Sequence, residues 1–137
     1  GIATGIGFAT LLNLQFIVAN TNAPADVVAF RIVGNYALHV STGIVIGYGL
    51  AETYFSNSAP IFQALILLAA EIIIGIAIPI HAGLVNASLS ITSISAPRPL
   101  FGLGFSIGLL TVVSIIISGL ITNADRLERE AKTGDEE

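Results

Sequence analysis

The stretch IFQALILLAAEIIIGIAIPIHAGLV, residues 61–85, holds a single formally charged side chain, Glu71, in a run dominated by leucine, isoleucine and alanine. As a helix it would cross the hydrocarbon core of a bilayer, which takes about 20 predominantly apolar residues. An amphipathic helix on a soluble protein would show a broad polar face, and this stretch has none. Working outward, residues 2–19, 27–50 and 100–121 are three more apolar segments. They are separated by the polar run NTNAPAD at 20–26, a short polar loop at 52–60, and a Ser/Thr-rich connection that closes with Pro97-Arg98-Pro99. The expected fold class is therefore all-α: a polytopic membrane protein, a bundle of about four transmembrane helices within residues 1–122. A charged tail at 123–137 follows, expected to form a short interfacial helix.

Composition agrees. Of the 137 residues 54% are hydrophobic and 10% charged, and mean hydropathy is +0.89; a soluble domain carries about 25% charged residues. A globule of this length cannot bury so much apolar surface in one core, so the lipid bilayer is the expected partner for most of it. The net charge of −4 arises largely in the tail, and no basic patch is present to attract nucleic acid. Without cysteine there are no disulfides, thiolate metal sites or cysteine nucleophiles. There is no methionine either, and the opening Gly1-Ile2-Ala3-Thr4-Gly5 reads like the inside of a membrane helix, so an upstream segment is expected. Four spans place both ends on one side of the membrane. That side holds Arg126, Arg129 and Lys132 against Arg31 and Arg98 opposite, which favours cytoplasmic ends and a multi-pass protein of the cytoplasmic membrane.

Polar side chains at membrane depth are costly and mark function by default. The set is small: Asn13 and Gln15 in the first segment, Arg31, Asn35, His39 and Thr42 in the second, Glu71 and His81 in the third, with Asn86 just beyond it. Arg31, Asn35, His39 and Thr42 share one helical face at 3.6 residues per turn. Two histidines on neighbouring helices could hold a metal or orient a water. With Glu71 they would make a zinc set of His39, His81 and Glu71. The plainer readings are helix-to-helix hydrogen bonds for each histidine and for Asn13 and Gln15, and a structural role for Glu71, neutral or paired with Arg31. Gly102, Gly104 and Gly108 are expected to allow close helix contact in the fourth segment.

Three stretches in order resemble the PrsW family of intramembrane proteases, relatives of the CAAX-prenyl proteases. Gly5-Ile-Gly-Phe-Ala-Thr-Leu-Leu-Asn13 is similar to that family's glycine-rich helix ending in Glu-Asn. Arg31, with Leu38-His39-Val-Ser-Thr42-Gly43 and Gly47-Tyr48-Gly49, is similar to its Arg, His, Thr-Gly and Gly-Tyr-Gly helix. Ile78-Pro-Ile-His81-Ala-Gly-Leu-Val-Asn86 is similar to its closing His/Asn helix. The resemblance covers residues 1–86. It implies a membrane cavity in which a glutamate and histidines activate water for peptide hydrolysis. His39 would belong to the water-activating set, and His81 with Asn86 would steady the oxyanion. Asn13, Arg31 and Thr42 are the implied substrate contacts, and Glu71 is a conceivable carboxylate.

The chain departs from the pattern in three ways. Leu12 stands where the family has its glutamate, the family's earlier paired-glutamate helix is absent, and His81 and Asn86 are one residue further apart than the family's pair. The expected function is thus a catalytically impaired PrsW-like protein that binds or scaffolds a membrane-protein partner subunit. The alternatives are an intramembrane endopeptidase acting on membrane-protein substrates and a hydrophobic subunit of a filament or complex.

Overall fold

The computed structural model describes residues 1–55, 59–86 and 99–134, apart from the side chains of 60, 83, 85, 86, 99, 128 and 131–134. They form four helices and no strand among the described residues: α1 (Ile2–Ala19), α2 (Ala25–Phe55), α3 (Pro60–Asn86) and α4 (Pro99–Gly134). The protein is an all-α membrane protein, as its composition demands. Asn20 ends α1: its backbone N–H turns back to the carbonyls of Phe16 and Ile17, and its side-chain amide donates to the Phe16 carbonyl at 2.9 Å. Proline then sets the starts that follow. Pro24 directly precedes α2, whose first turn holds Asp26 against the positive end of the helix dipole, and Pro60 and Pro99 open α3 and α4.

Successive helices run antiparallel around α2, which packs on all three others. α3 and α4 also touch each other, whereas α1 packs on α2 alone. Three helices are long and apolar enough to cross a membrane, at Ile2–Ala19, Ile61–Ala82 and Leu100–Leu127. Only 17%, 11% and 22% of these segments is buried inside the protein, so lipid must solvate the rest. The expected second span differs: α2 is long enough, at 31 residues or about 46 Å, but less apolar than its neighbours. The reason is its place. Arg31, Asn35, His39, Ser41 and Thr42 lower its hydropathy, and its central position surrounds most of that face with protein. α4 continues unbroken through the charged tail as far as Gly134, so the described part of the tail prolongs the last span.

Two kinds of packing hold the bundle. Between α2, α3 and α4, Val45, Ala70 and Val113 form an apolar cluster flanked by Ile66, Ile73 and Leu109. Between α1 and α2 the backbones themselves meet. Gly5, Ala9 and Asn13, four residues apart, are the buried stripe of α1. A Cβ on Gly5 would collide with the His39 carbonyl and lie 3.2 Å from the Val40 Cα, and a Cβ on Gly1 would lie 2.8 Å from the Gly47 Cα. Such small-residue contacts are how helices associate where lipid removes the hydrophobic drive. In α4, Gly102 is buried as expected, but Gly104 and Gly108 point away from the bundle, with nothing within 4 Å of a Cβ at either position.

The glycines of α1 make a paired test. Alanine is ordinarily favoured over glycine in a helix by about 0.5–1 kcal/mol, and overpacking costs about 1–3 kcal/mol. Gly7→Ala, where a Cβ meets nothing within 4 Å, should leave unfolding in mixed detergent unchanged or slightly harder. Gly5→Ala, which drives a methyl into backbone, should destabilise by about 1–2 kcal/mol net. Equal effects at the two positions would disprove the close contact.

Candidate functional site

Because α1 and α3 both lean on α2 without touching each other, a cleft is left between them. It contains a cavity of about 500 Å³. Leu12, Gln15 and Phe16 of α1 form one wall, Ile78, His81 and Ala82 of α3 the other, and α2 supplies Arg31, Asn35, Leu38 and His39 between them. The helical spacing of Arg31, Asn35 and His39 thus does set them on one face, and that face lines the cavity.

Each polar group is held differently. The Arg31 guanidinium carbon lies 4.0 Å from the centre of the Phe16 ring, a cation–π contact across α1 and α2. Asn13, 4% exposed, accepts a 2.8 Å hydrogen bond from the Asn35 amide through its Oδ1, and its own amide points at the Ile32 carbonyl at 3.5 Å. One turn away, the Thr10 and Tyr36 hydroxyls are 2.9 Å apart. These pairs join α1 to α2 beside the cavity. His39, 8% exposed, packs edge-on against Phe8 with ring centroids 4.9 Å apart and makes no hydrogen bond among the described residues.

His81 is fixed on three helices at once. Its ring lies over Gly34 of α2, where a Cβ would sit 2.9 Å from its Cε1. Its Nδ1 is 3.0 Å from the Gly102 carbonyl and 2.9 Å from the Ser106 hydroxyl of α4. Ser106, fully buried, also donates to the Gly102 carbonyl at 2.9 Å. A carbonyl only accepts, so this geometry assigns the proton to Nδ1, shared between Gly102 and Ser106, and leaves Nε2 with its lone pair. Nε2 would be 3.6 Å from a Cβ at Gly34, so that glycine keeps space beside it. Ser106 and Gly34 are the residues sequence reasoning misses. The available signals are slight: a hydroxyl four residues after a glycine in an uncharged span, and one more glycine in α2.

Other expected members of the site lie elsewhere. Glu71 does not join the histidines: it is exposed on the outer side of α3 and lines no part of the cavity. The zinc set of His39, His81 and Glu71 is accordingly not assembled, and among the described residues no three His, Cys, Asp or Glu side chains come together to hold a metal. Thr42 donates to the Leu38 carbonyl of its own helix at 3.2 Å and is not in the cavity wall. Asn86 ends α3, and its side chain lies outside the described residues. Leu12, by contrast, does line the cavity, as an apolar side chain. The cavity thus offers a guanidinium, two imidazoles and the amides of Gln15, Asn20 and Asn35, and among the described residues no carboxylate lines it. Glu52 and Asp125 border a second cavity, of about 570 Å³, at the opposite end of the bundle, among Gly1, Gly43, Gly47 and Tyr48.

Among protein families, curated proteins and solved structures, none matches this chain.

The His81 arrangement can be read directly. With the imidazoles neutral, nitrogen-15 NMR should show His81 almost wholly as the Nδ1–H tautomer. Ser106→Ala should shift it towards a mixture and cost about 0.5–1.5 kcal/mol, the usual net worth of one hydrogen bond. A wild-type Nε2–H tautomer would contradict the assignment.

Proposed function

We propose that this chain is a multi-pass protein of the cytoplasmic membrane that binds a segment of another membrane protein in the α1–α2–α3 cavity without hydrolysing it, a non-catalytic relative of the PrsW-like proteases it resembles. The observation that carries the reading is the composition of the cavity wall. Arg31, His39 and His81 line it together, and Leu12 occupies it where the resemblance has a glutamate. In such a wall the Arg31 guanidinium can donate to the carbonyl groups of a peptide and the His81 Nε2 lone pair can accept from an N–H, and its apolar residues Phe16, Leu38 and Ile78 suit a membrane-embedded segment. Water-driven peptide hydrolysis needs in addition a group that takes the proton from water. In the related pattern that group is a carboxylate, and the described residues bring none here. The basic residues Arg126, Arg129 and Lys132 at and beyond the end of the last span support cytoplasmic ends.

Two observations favour the hydrolytic alternative: the two histidines singled out by the resemblance line the same cavity, and the lone pair on His81 Nε2 is a base that could take a proton from water. Both readings meet in one experiment. The full chain, carrying a benzophenone amino acid in place of Leu12, is reconstituted in vesicles with a labelled single-span peptide probe and irradiated. Binding without hydrolysis predicts a crosslinked adduct of intact peptide, reduced about tenfold by Arg31→Leu, a change of about 1.4 kcal/mol. The proposal fails if the unmodified chain releases new peptide termini that disappear in His39→Ala or His81→Ala, or if crosslinking is indifferent to Arg31.

A further inference from the structure

Glu71 is the eleventh residue of the 22-residue apolar segment Ile61–Ala82, which places its carboxyl at the middle of a span. It is exposed, on the flank of α3 away from the buried stripe of Ala70 and Ala77. It makes no hydrogen bond or ion pair among the described residues. Lipid offers a carboxyl group neither water nor a hydrogen-bond partner, so ionisable side chains at this depth ordinarily face protein or a water-filled cavity. Four residues on, and so on the same face, Gly75 has nothing within 4 Å of the place a Cβ would take. The exposed Leu68, Ile72 and Ile78 flank this pair as large apolar side chains. An acid with no partner among the described residues therefore sits at mid-span beside a glycine, the residue that lets another helix approach closely.

We infer that this face of α3 docks a transmembrane helix of a different protein that carries a lysine or arginine near its own middle, with that cation against Glu71 and its backbone against Gly75. Charge complementarity selects this occupant. Among the described residues no cation is seen against Glu71: Arg31 lies over Phe16 in the cleft, and Arg126 pairs with Glu130 at 3.8 Å. A second copy packed about a two-fold axis would bring a second carboxyl opposite the first. Ile78 and Ala82, further along the same stripe, reach the cavity wall, but neither Glu71 nor Gly75 lines it. The inference uses neither Arg31 nor the histidines, so it holds or fails independently of the function proposed above.

The test uses the full chain in phosphatidylcholine vesicles, labelled through one introduced cysteine, since the chain has none. Energy transfer is measured to single-span polyleucine peptides with either lysine or leucine at the centre. The lysine peptide should bind at least about tenfold more tightly than the leucine peptide. Glu71→Leu should erase that preference, and Gly75→Leu should weaken lysine-peptide binding several-fold with the carboxyl intact. Both substitutions fall on open surface, and unchanged helical circular dichroism would show that each variant folds. Equal binding of the two peptides, or a preference that survives Glu71→Leu, overturns the inference. So does Glu71-dependent energy transfer between copies of the chain without peptide, which would assign the face to self-association.

Discussion

A polar group inside a bilayer has no water to fall back on, and the architecture of this protein follows from that constraint. α2 concentrates the problem: within three turns it carries Arg31, Asn35, His39, Ser41 and Thr42. Each is met by protein. Asn35 finds Asn13, Arg31 lies over Phe16, and Ser41 and Thr42 bond back to the carbonyls of Ala37 and Leu38 at 2.6 and 3.2 Å. That arrangement needs neighbours on several sides, and α2 is the helix that touches all the others. The more apolar α1, α3 and α4 stand outside it and take the lipid.

Close approach is what lets these partners reach each other. α1 comes near enough for Asn13 to meet Asn35 because Gly1 and Gly5 lie directly on the backbone of α2 around His39, Gly43 and Gly47. The same contact presses α1 against the carbonyl of His39, so the position of one cavity residue depends on a glycine with no chemistry of its own. Gly34 does the equivalent for His81 by making room for its ring where α2, α3 and α4 meet. The cavity is thus a product of packing: α1 and α3 both rest on α2, and the space between them stays open.

The ionisable groups are sorted by place. Arg31, His39 and His81 line one cavity, Glu52 and Asp125 border the other, and Glu71 stands alone on the outer side of α3. The sorting decides what chemistry is within reach. On the proposed reading, the Arg31 guanidinium and the His81 Nε2 lone pair hold a peptide in the first cavity, and the Glu71 carboxyl meets a partner helix.

Much of this was legible in the residues themselves. Apolar run length and the polar breaks at 20–26 and 52–60 determine the helices, because a bilayer demands about 20 apolar residues and an internally bonded backbone whatever the neighbours are. Helical periodicity likewise determines that Arg31, Asn35 and His39 share a face, since that depends only on the local turn of the chain. Periodicity says nothing about what the face meets. It leaves Glu71 free to point inward beside His81 or outward to lipid, ten residues and a proline apart on one helix, and only the packing of α3 on α2 and α4 turns it outward. The bond from Ser106 to His81, and the use of Gly5 rather than Gly104 as a contact, were decided by tertiary structure for the same reason: each depends on the distance between two helices, which no local pattern of residues encodes.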